Sequence, residues 1–540
     1  MANKMERRIA YVGSYHLETS LGVGVAANYE AIAHYETHTS SFEDVPVCKI
    51  TPEVSATTLT LRTLSHHLKE IDAASPRLHL ILSTTKGEIE AITSDPQRAL
   101  LTSLADEITT HLALANPVEV ISNACISGVA AIIHGAREIE RGEYDQVIIV
   151  GIDKISSFIA KGFDSFRSID PTLCTPYDLD RQGLTLGEAC GVLLLTADPA
   201  ASPTQIIIAG GAISCDANHI SGPSRTGDGL YYAMRNAMEE ANLEPEEIDY
   251  VNLHGTGTPY NDEMESKAMM LAGLDATPCN SLKPYLGHTL GASGVIEAIL
   301  TVEQMIRSEV IGTKGYATPG TPCPLNLSAT HRHHHITHAI KTASGFGGTN
   351  AALILSHRSA LYATTPLEHP TATEEVSHYE LAGTNDFADT IRTLYKELGE
   401  KNLKFFKMDN LCKLGYVASC KLMQGIMHNT PSDRIAVILA SRSGSLDTDL
   451  RHAHHIATNP SASPAIFVYT LANVVAAEIA IRHHCQGELM IFIEPAKAMD
   501  KLATHAQHLI NRTSCDAVIY GWCELMEGQY ETELKLIKRK

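Results

Sequence analysis

The sequence predicts an α/β protein built on largely parallel, buried sheets, and three observations support this fold class. Short apolar runs alternate with helical patterns over residues 5–200, and the alternation recurs over residues 205–356. The hydrophobic content of 44% is enough for a large core, and the charged content of 19% is too low for a disordered or coiled-coil chain. A length of 540 residues predicts two or three domains. Alternation of this kind is typical of sheets covered by helices.

The two alternating regions have similar predicted contents. In the first, we predict strands at Ile9–Val12, Leu78–Leu82, Val118–Ile121, Val147–Val150 and Gly191–Leu195, and helices at Thr58–Ile71 and Arg98–Leu114. In the second, we predict strands at Gln205–Ile208, Tyr250–Leu253 and Ala351–Leu355, and helices at Tyr231–Ala241, Asn261–Leu271 and Val295–Ser308. Residues 312–338 are rich in Thr, Pro and His and are predicted to be loop.

Charge and cysteine usage narrow the class of protein. The formal net charge of -20 argues against nucleic acid or an anionic membrane as the main partner. No stretch of about twenty apolar residues could span a bilayer, and the polar N-terminus has no signal-peptide pattern. Twelve cysteines are scattered without C-x-x-C pairs, which favours free thiols in a reducing compartment. We therefore expect a cytoplasmic protein.

The stretch 119–151 contains the first candidate for chemistry. Cys125 lies in a turn of small residues between a buried strand and a helix, whose apolar positions are Val129, Ile132, Ile133, Ala136 and Ile139. A thiol at a helix N-terminus faces free N–H groups and a dipole that favours the thiolate, which is the better nucleophile. The alternative is that Cys125 is one more packed small apolar residue.

Three further motifs follow Cys125 in order. They are His254-Gly-Thr-Gly-Thr258, Lys283-Pro-Tyr-Leu-Gly-His288-Thr-Leu-Gly-Ala-Ser-Gly294, and Ser344-Gly-Phe-Gly-Gly-Thr-Asn350. Each motif alone is weak evidence, but the set in this order is specific. Over residues 7–356 the chain resembles the β-ketoacyl-acyl carrier protein synthases of the thiolase superfamily. The resemblance implies a layered αβαβα thiolase-like fold for residues 1–358, in two halves of about 1–200 and 201–358.

The resemblance also implies catalytic roles. Cys125 matches the nucleophile that accepts an acyl chain from acyl carrier protein. His254 and His288 match the histidine pair that supports decarboxylation of malonyl carrier protein and stabilises the enolate. Lys283 matches the lysine that orients the second histidine. Two histidines indicate the elongating branch of the family, and no motif offers the second cysteine that the thiolase branch needs.

Supporting roles follow in the same way. Glu297 matches the structural acid behind the histidines, and Phe346 matches a mobile gate whose N–H forms an oxyanion hole with that of Cys125. Gly347 is assigned to the same supporting group. Thr256, Thr258 and Thr289 are assigned to substrate and pantetheine binding.

The implied activity is decarboxylative Claisen condensation in fatty acid, polyketide or aryl-polyene synthesis. No metal or small cofactor is expected, because the acyl carrier protein carries the phosphopantetheine. The expected partners are acyl carrier protein and a second ketosynthase, in a homodimer or heterodimer, with no nucleic acid and no membrane. An acidic carrier would need a local basic patch on this acidic chain. The alternative function is a chain-length-factor-like subunit that shapes a sister ketosynthase without condensing itself.

The last region resembles a second, degenerate copy of the first half. After a predicted linker at 359–378, residues 379–540 contain Ile435–Gly444, which echoes His79–Gly87, and Tyr469–Ile481, which echoes the Cys125 helix. Setting Gly487 against Gly142 places Thr470 opposite Cys125, so the copy is predicted to lack the nucleophile. The alternative is chance agreement between two ordinary strand–helix–strand units.

Some features depart from the family or stay open. Ser344 stands where the family usually has the first Phe of an FGFGG run, and Cys190 is interpreted as a packed residue rather than a second nucleophile. A histidine-rich loop could bind metal or be incidental; its members are His331, His333, His334, His335 and His338. A basic helix face could dock carrier protein or simply be solvated; its members are Arg62, His66, His67 and Lys69.

Overall fold

The computed structural model describes residues 8–67, 71–360, 371–399, 401–426 and 430–540. Among these residues, strands from all three predicted regions join into one continuous sixteen-stranded sheet. The first region contains β1 (Tyr11–Thr19), β2 (Gly22–Val23), α1 (Val25–Ala33), β3 (Ser40–Phe42), β4 (Val45–Cys48), α2 (Ala56–Leu64), β5 (Leu78–Ser83), α3 (Leu101–Leu112), β6 (Glu119–Ile121), α4 (Ser127–Arg141), β7 (Gln146–Asp153), α5 (Ser157–Ser165), β8 (Leu186–Gly187) and β9 (Ala189–Thr196).

The second region repeats the alternation of strands and helices. It contains β10 (Ile206–Cys215), α6 (Asp228–Ala241), β11 (Tyr250–Asn252), α7 (Pro259–Leu271), β12 (Cys279–Asn280), α8 (Lys283–Leu286), α9 (Ser293–Arg307), β13 (Glu309–Val310), β14 (Arg332–His333), β15 (His338–Gly345) and β16 (Thr349–His357). Its sheet runs in the order β12-β11-β15-β16-β10, and β10 pairs with β1 of the first region. Strand β15 was not predicted, because its sequence interrupts an apolar run with Lys341 and Ser344.

The C-terminal region forms a third α/β unit. It contains β17 (Thr373–Thr384), α10 (Phe387–Glu397), α11 (Asn410–Leu422), β18 (Ile435–Ser441), α12 (Leu446–Thr458), α13 (Pro464–Phe467), α14 (Val474–His483), β19 (Leu489–Ile493), α15 (Met499–Arg512), β20 (Ala517–Met526) and β21 (Gln529–Arg539). Strand β17 begins inside the predicted linker, of which residues 361–370 lie outside the described part. It pairs only with β21 and lies at the sheet edge, so its sequence is polar and was interpreted as linker.

Helices α4 and α9 form the middle layer of the fold. Both are almost wholly buried, and each contacts strands of the first and of the second region. Their N-termini approach so closely that a Cβ on Gly128 would lie 2.7 Å from the Val295 nitrogen, and one on Gly294 would lie 2.3 Å from the Val129 nitrogen. The predicted αβαβα layering is confirmed, and the contact brings the Cys125 turn beside the His288 loop.

The first and third units share one strand pattern. The first runs β1-β9-β7-β5-β6 and the third runs β17-β21-β20-β18-β19, with the same parallel and antiparallel pairings in the same chain order. They meet where β6 pairs antiparallel with β19, with Ile121 opposite Phe492 and Val120 opposite Ile493. The C-terminal region is therefore a half-thiolase-like unit joined to the first unit across a local two-fold axis.

Buried charges join the two units behind this strand pair. The Arg137 guanidinium donates to the Glu488 carboxylate at 2.9 Å, and His505 lies 3.3 Å from the same carboxylate. Burial by itself raises the pKa of Glu488, but Arg137 and His505 outweigh it and lower this pKa to about 2. Lys501 of the third unit pairs with Glu119 of the first. These contacts leave each unit dependent on the other for charge compensation.

Helix α2 is shorter than predicted. It ends at Leu64 rather than Ile71, because the following His66 stacks on His16 with ring centroids 3.9 Å apart and His67 bonds Ser14 at 2.9 Å.

In the part of the chain that the structure describes, no single helix has the length and apolar character needed to cross a membrane. One bent pair of helices, α13 with α14, meets the criteria of length and composition alone.

Candidate active site

The turn after β6 holds Cys125 in a strained backbone. Cys125 lies in a single turn of 3-10 helix, Ala124–Ile126, that runs directly into α4. Ala124 has a φ of 49°, in the left-handed region that residues with a Cβ rarely adopt. The Ser127 hydroxyl holds the turn, since it donates to the Ala124 carbonyl oxygen at 2.5 Å and accepts from the Asn123 N–H at 2.8 Å. The thiol therefore stands at a helix N-terminus, as predicted.

Asn123 ties this turn to the C-terminal unit. Its side-chain amide donates to the Leu489 carbonyl oxygen at 2.7 Å and accepts from the Ile491 N–H at 3.1 Å, both on β19. Asn123 is fully buried, so both bonds lie in a medium where their loss would be costly. Asn123 was not predicted to be a site residue. The feature of the sequence that could have indicated it is a single amide side chain in a turn of small residues.

Two opposing influences act on the Cys125 thiol. Burial raises its pKa to about 12, although the Lys283 ammonium group and the backbone N–H groups of Cys125 and Phe346 favour the thiolate. The backbone N–H groups thus act in the predicted direction, but burial outweighs them. The side chain is only 9% exposed, so water does not stabilise the charged form. The same two N–H groups are positioned to stabilise negative charge that develops during a reaction at Cys125.

His254 follows β11 in a turn that only glycine could form. The N–H groups of His254 and Gly255 donate to the buried Glu265 carboxylate at 2.8 and 2.7 Å. Gly257 has a φ of 83°, and a Cβ there would lie 2.5 Å from the Gly183 carbonyl oxygen. These constraints place the His254 ring beside His288, with ring centroids 5.0 Å apart in an edge-on arrangement.

His288 is held by its own loop in one tautomer. Its backbone N–H donates to the Thr185 carbonyl oxygen at 2.6 Å. The Leu290 N–H donates to Nδ1 of His288 at 3.3 Å, so Nδ1 is an acceptor and the ring hydrogen is assigned to Nε2. The Ser293 hydroxyl lies 3.1 Å from the same Nδ1.

Both imidazoles are neutral near neutral pH. Burial lowers the pKa of His254 and of His288 well below the ordinary value near 6.5, and the Lys283 ammonium lowers both further. Lys341 adds to the effect on each ring. A neutral imidazole keeps one N–H donor, so the pair offers two donors without carrying charge.

A buried charge triad lies behind the histidines. The Lys283 ammonium pairs with the Glu297 carboxylate at 2.7 Å, and Lys341 pairs with its other oxygen. All three side chains are at most 2% exposed. Burial lowers the pKa of Lys341 to about 8, although Glu297 opposes the shift. The triad supplies fixed positive charge next to both imidazole rings.

Lys341 and Asp153 are site residues that the sequence analysis missed. Lys341 lies on β15 opposite Asn252 of β11, and the available signal was one lysine inside an apolar strand. Asp153 accepts from the N–H groups of Thr85 and Gly291 at 3.0 and 2.7 Å. It thereby fixes the loop that carries His288. Burial raises the pKa of Asp153 to about 6.

One cavity of about 300 Å³ collects most of the predicted residues. Its wall includes Cys125, His254, His288, Thr256, Thr258, Ser344 and Phe346. The hydroxyls of Thr256 and Thr258 bond each other at 2.8 Å at this wall. Lys283, Glu297, Gly347 and Thr289 are not part of the wall; the Thr289 hydroxyl instead contacts Ser293 at 3.1 Å. The structure therefore places Thr289 behind His288 rather than in the cavity.

Phe346, the predicted gate, is in contact with the C-terminal unit. Its ring stacks against Phe163 at 5.9 Å between centroids, and its carbonyl oxygen accepts from the Asn473 side chain at 2.8 Å. Gly347 has a φ of 89°, and a Cβ there would lie 2.5 Å from the Asn473 Nδ2. Gly347 is thus needed for a hairpin turn that contacts Asn473, the residue that precedes α14.

The histidine-rich loop has structural contacts. His331 Nδ1 accepts from the Gly312 N–H at 3.0 Å, His334 bonds the Asp249 carbonyl oxygen at 3.0 Å, and His338 bonds Ser356 at 2.8 Å. Cys190 is fully buried on β9, and burial raises its pKa to about 12. Both observations agree with a packing role for these residues.

The C-terminal counterpart of the Cys125 turn follows β19 and does not contain Thr470. Helix α14, which begins after Thr470, leads into β19. Because β19 occupies the place of β6, the predicted alignment, which equated β19 with the strand after the Cys125 helix, is wrong. The turn between β19 and α15, residues 494–498, includes Lys497 and no cysteine. Lys497 pairs with Glu531 and Glu533 at 2.9 and 2.6 Å. That turn therefore has a cation and no thiol.

Comparison with known proteins agrees with this arrangement, which is similar to that of thiolase-like ketosynthases. Residues 79–201 match the family described as "Beta-ketoacyl synthase, N-terminal domain" and residues 206–316 match "Beta-ketoacyl synthase, C-terminal domain". The chain is 31% identical over 262 residues to 3-oxoacyl-[acyl-carrier-protein] synthase 2 of Staphylococcus aureus strain COL, covering 46% of this chain and 63% of that one. The chain thus resembles β-ketoacyl synthases over both domains, and it spans just under two thirds of the length of the curated relatives it matches.

Solved structures extend the likeness. A ketosynthase (ApeO) in complex with its chain length factor (ApeC) from Xenorhabdus doucetiae is 28% identical, with a TM-score of 0.60 over 66% of this chain and 99% of that one. The structure of a PfaC keto synthase-chain length factor is 14% identical, with a TM-score of 0.79 over 99% of this chain and 78% of that one. The second likeness shows that the fold of the whole chain, including the C-terminal unit, has a known counterpart.

Proposed function

We propose that this chain is a 3-oxoacyl-acyl carrier protein synthase that condenses an acyl group on Cys125 with malonyl carrier protein. The observation that carries the proposal is the meeting of Cys125, His254, His288 and Phe346 on one buried cavity wall. The matches to both β-ketoacyl synthase domains support the same chemistry. Acyl carrier protein and a related ketosynthase are the proposed partners, in fatty acid, polyketide or aryl-polyene synthesis.

The first step is acyl transfer to Cys125. Its sulfur attacks the thioester carbonyl carbon, the bond between that carbon and the pantetheine sulfur breaks, and the thiol proton passes to the departing sulfur. The N–H groups of Cys125 and Phe346 stabilise the oxyanion of the tetrahedral intermediate. Because the thiol is protonated at rest, its proton moves during attack rather than before it.

The second step is decarboxylation and carbon–carbon bond formation. Malonyl thioester loses CO2, and the enolate oxygen accepts hydrogen bonds from the N–H groups of His254 and His288. The enolate carbon then attacks the acyl carbonyl carbon, the bond to the Cys125 sulfur breaks, and the sulfur takes up a proton. Neutral imidazoles suit this role, since each keeps a donor. Burial lowers the pKa of both rings, and Lys283 and Lys341 lower it further.

The C-terminal unit is proposed to act as a chain-length-factor-like wall within the same chain. Phe467 packs on Phe163 and Phe166 of the cavity wall, with centroid distances of 5.5 and 6.2 Å. A Cβ on Gly162 would lie 2.2 Å from the Phe467 ring, so this contact requires glycine. A partner subunit that only shapes a sister ketosynthase is the second candidate function, and its basis is the likeness to ketosynthase complexes with chain length factors.

Intact-protein mass spectrometry tests the main proposal. Wild type and Cys125→Ala are incubated with a panel of acyl carrier proteins bearing different acyl groups. We expect a covalent acyl adduct on wild type and none on the variant, and the preferred acyl mass then defines the substrate class. If folded wild type takes no acyl group from any donor, the condensing activity is refuted and the partner-subunit function remains.

A further inference from the structure

A short segment of the C-terminal unit exposes apolar side chains among lysines. Residues 401–407, Lys-Asn-Leu-Lys-Phe-Phe-Lys, contain three lysines and no acidic residue. Leu403 is 80% exposed and Phe406 is 65% exposed, whereas Phe405 between them is buried. We call residues 401–407 the lysine–aromatic patch. Exposed apolar side chains ringed by charge are typical of protein interaction sites.

Aromatic stacking and hydrogen bonds anchor the patch to the rest of the C-terminal unit. The Phe405 ring stacks on Tyr395 with centroids 3.9 Å apart and an angle of 9° between planes. The Tyr395 hydroxyl donates to the Asn402 carbonyl oxygen at 2.9 Å, and the Lys404 N–H donates to the Asn402 side chain at 3.0 Å. One aromatic side chain anchors the segment from below while Leu403 and Phe406 remain outside.

The patch and the loop that borders the cavity share a hydrophobic cluster. Phe405 of the patch belongs to this cluster, and Ile220 of the loop packs against it. The neighbouring His219 ring accepts from the N–H groups of Ser221 and Gly222 at 3.1 Å each, and both residues line the cavity of Cys125. Burial lowers the pKa of His219 and the Lys404 ammonium group lowers it further, which agrees with this arrangement.

The lysines of the patch are available for a partner. Within the described ranges, Lys401, Lys404 and Lys407 make no ion pair. The basic helix suggested by the sequence is different: Arg62 is engaged by Glu18 at 3.0 Å, and Lys69 lies outside the described residues. On a chain with a formal charge of -20, an acidic partner needs a local positive surface. The patch supplies one next to exposed apolar side chains.

We propose that the lysine–aromatic patch docks the acyl carrier protein that delivers thioesters to Cys125. The occupant is a small acidic protein whose contact surface has carboxylates around an apolar side chain, so that lysines meet carboxylates and Leu403 and Phe406 meet the apolar group. The inference rests on the proposed function and assigns the C-terminal unit a part in substrate delivery. The acyl chain then enters from a surface shared by two units.

Acyl-transfer kinetics with two donors test the docking site. Full-length wild type, Leu403→Ser/Phe406→Ser and Lys404→Glu are compared with an acyl carrier protein thioester and with the same acyl group on N-acetylcysteamine, which has no protein surface. We expect KM for the carrier donor to rise about tenfold or more in each variant. Transfer from N-acetylcysteamine should be unchanged, and added salt should raise the wild-type KM for the carrier.

Matched variants control for charge and exposed surface. Lys540→Glu reverses an exposed lysine at the chain end, and Ile306→Ser removes a side chain that is 47% exposed on α9. Both should behave as wild type. Titration of unacylated carrier protein into each variant reports binding without any chemistry. If the patch variants bind the carrier as tightly as wild type, the docking site is refuted even where Cys125 is acylated; if wild type binds the carrier but is never acylated, only the condensing function fails.

Discussion

The first and third units of this chain have the same five-stranded pattern, yet only one has an active-site turn. After β6, small residues let Cys125 stand at a helix N-terminus beside His288. After β19, the equivalent turn has Lys497, paired with two glutamates. The unit with the nucleophile is completed by the second region, whereas the other ends its sheet at β17. The shared strand pattern is therefore a scaffold. Whether a unit has a nucleophile depends on the residues of the turn after its β6 or β19 strand and on the elements that pack against that turn.

Removing the Cys125 thiol, or placing a thiol in the turn after β19 instead, gives the largest expected effect. Cys125→Ser should abolish acyl-adduct formation, whereas Lys497→Cys in a Cys125→Ala background should not restore it, because no histidine pair faces that turn. Intact mass after incubation with acyl donors measures both. An acyl group found on residue 497 would contradict the view that the third unit lacks acylation chemistry.

Neutralising the shared carboxylate of the triad should be nearly as severe. Glu297→Gln leaves the buried Lys283 and Lys341 without a counter-charge. We expect a loss of about 3–5 kcal/mol in the free energy of unfolding, measured by denaturant titration. Glu303→Gln on the same helix is the control, since its carboxylate pairs with the half-exposed Arg307 and should cost about 1 kcal/mol or less. An equal effect of the two variants would refute the role of the triad.

Acid should weaken the junction of the two units in two ranges of pH. Burial lowers the pKa of His505 to about 4, so stability falls as pH decreases from about 6.5 to 4 and this ring takes up a proton. Glu488, with a pKa of about 2, contributes stability that is complete above about pH 4.5 and is lost as pH falls towards 2. Unfolding free energy measured against pH should show both ranges.

Glu488→Gln is the informative variant for this pH dependence. It should be less stable at neutral pH, because Arg137 loses its charged partner, and it should lack the decrease between about pH 4.5 and 2. The decrease assigned to His505 should remain. Wild-type and variant curves that stay parallel below pH 4.5 would show that Glu488 does not titrate in that range.

The smallest predicted effect concerns the link from β19 to the nucleophile turn. Asn123→Ala removes two buried hydrogen bonds to β19 and should cost about 1–3 kcal/mol of stability. It should also slow acyl transfer to Cys125, as measured by time-resolved intact mass. Asn116→Ala is the matched control, because Asn116 also donates to backbone oxygens but lies in the loop between α3 and β6. Equal acylation rates for the two variants would argue against coupling between the third unit and the turn.

Much of the first two regions could be predicted from local patterns. Apolar periodicity located strands such as β5 and helices such as α9. The resemblance to β-ketoacyl-acyl carrier protein synthases implied that Cys125, His254 and His288 belong to one site. Lys341 and Asp153 could not be predicted, because a single polar residue in an apolar strand shows its partners only after the strands pair. The high pKa of the Cys125 thiol could not be predicted either, since it depends on burial by several elements, which outweighs the helix N-terminus.

The amino-acid sequence by itself determined the α/β class, the order of the site motifs and the resemblance of residues 379–540 to a half-domain. Those properties follow from short-range periodicity and from motif order, which are visible along the chain. Three features could be learned only from the folded chain: β19 pairs with β6, the turn with Lys497 rather than Thr470 corresponds to the Cys125 turn, and Asn123 and Phe346 contact the third unit. The physical reason is that strand order and register depend on contacts between residues hundreds of positions apart.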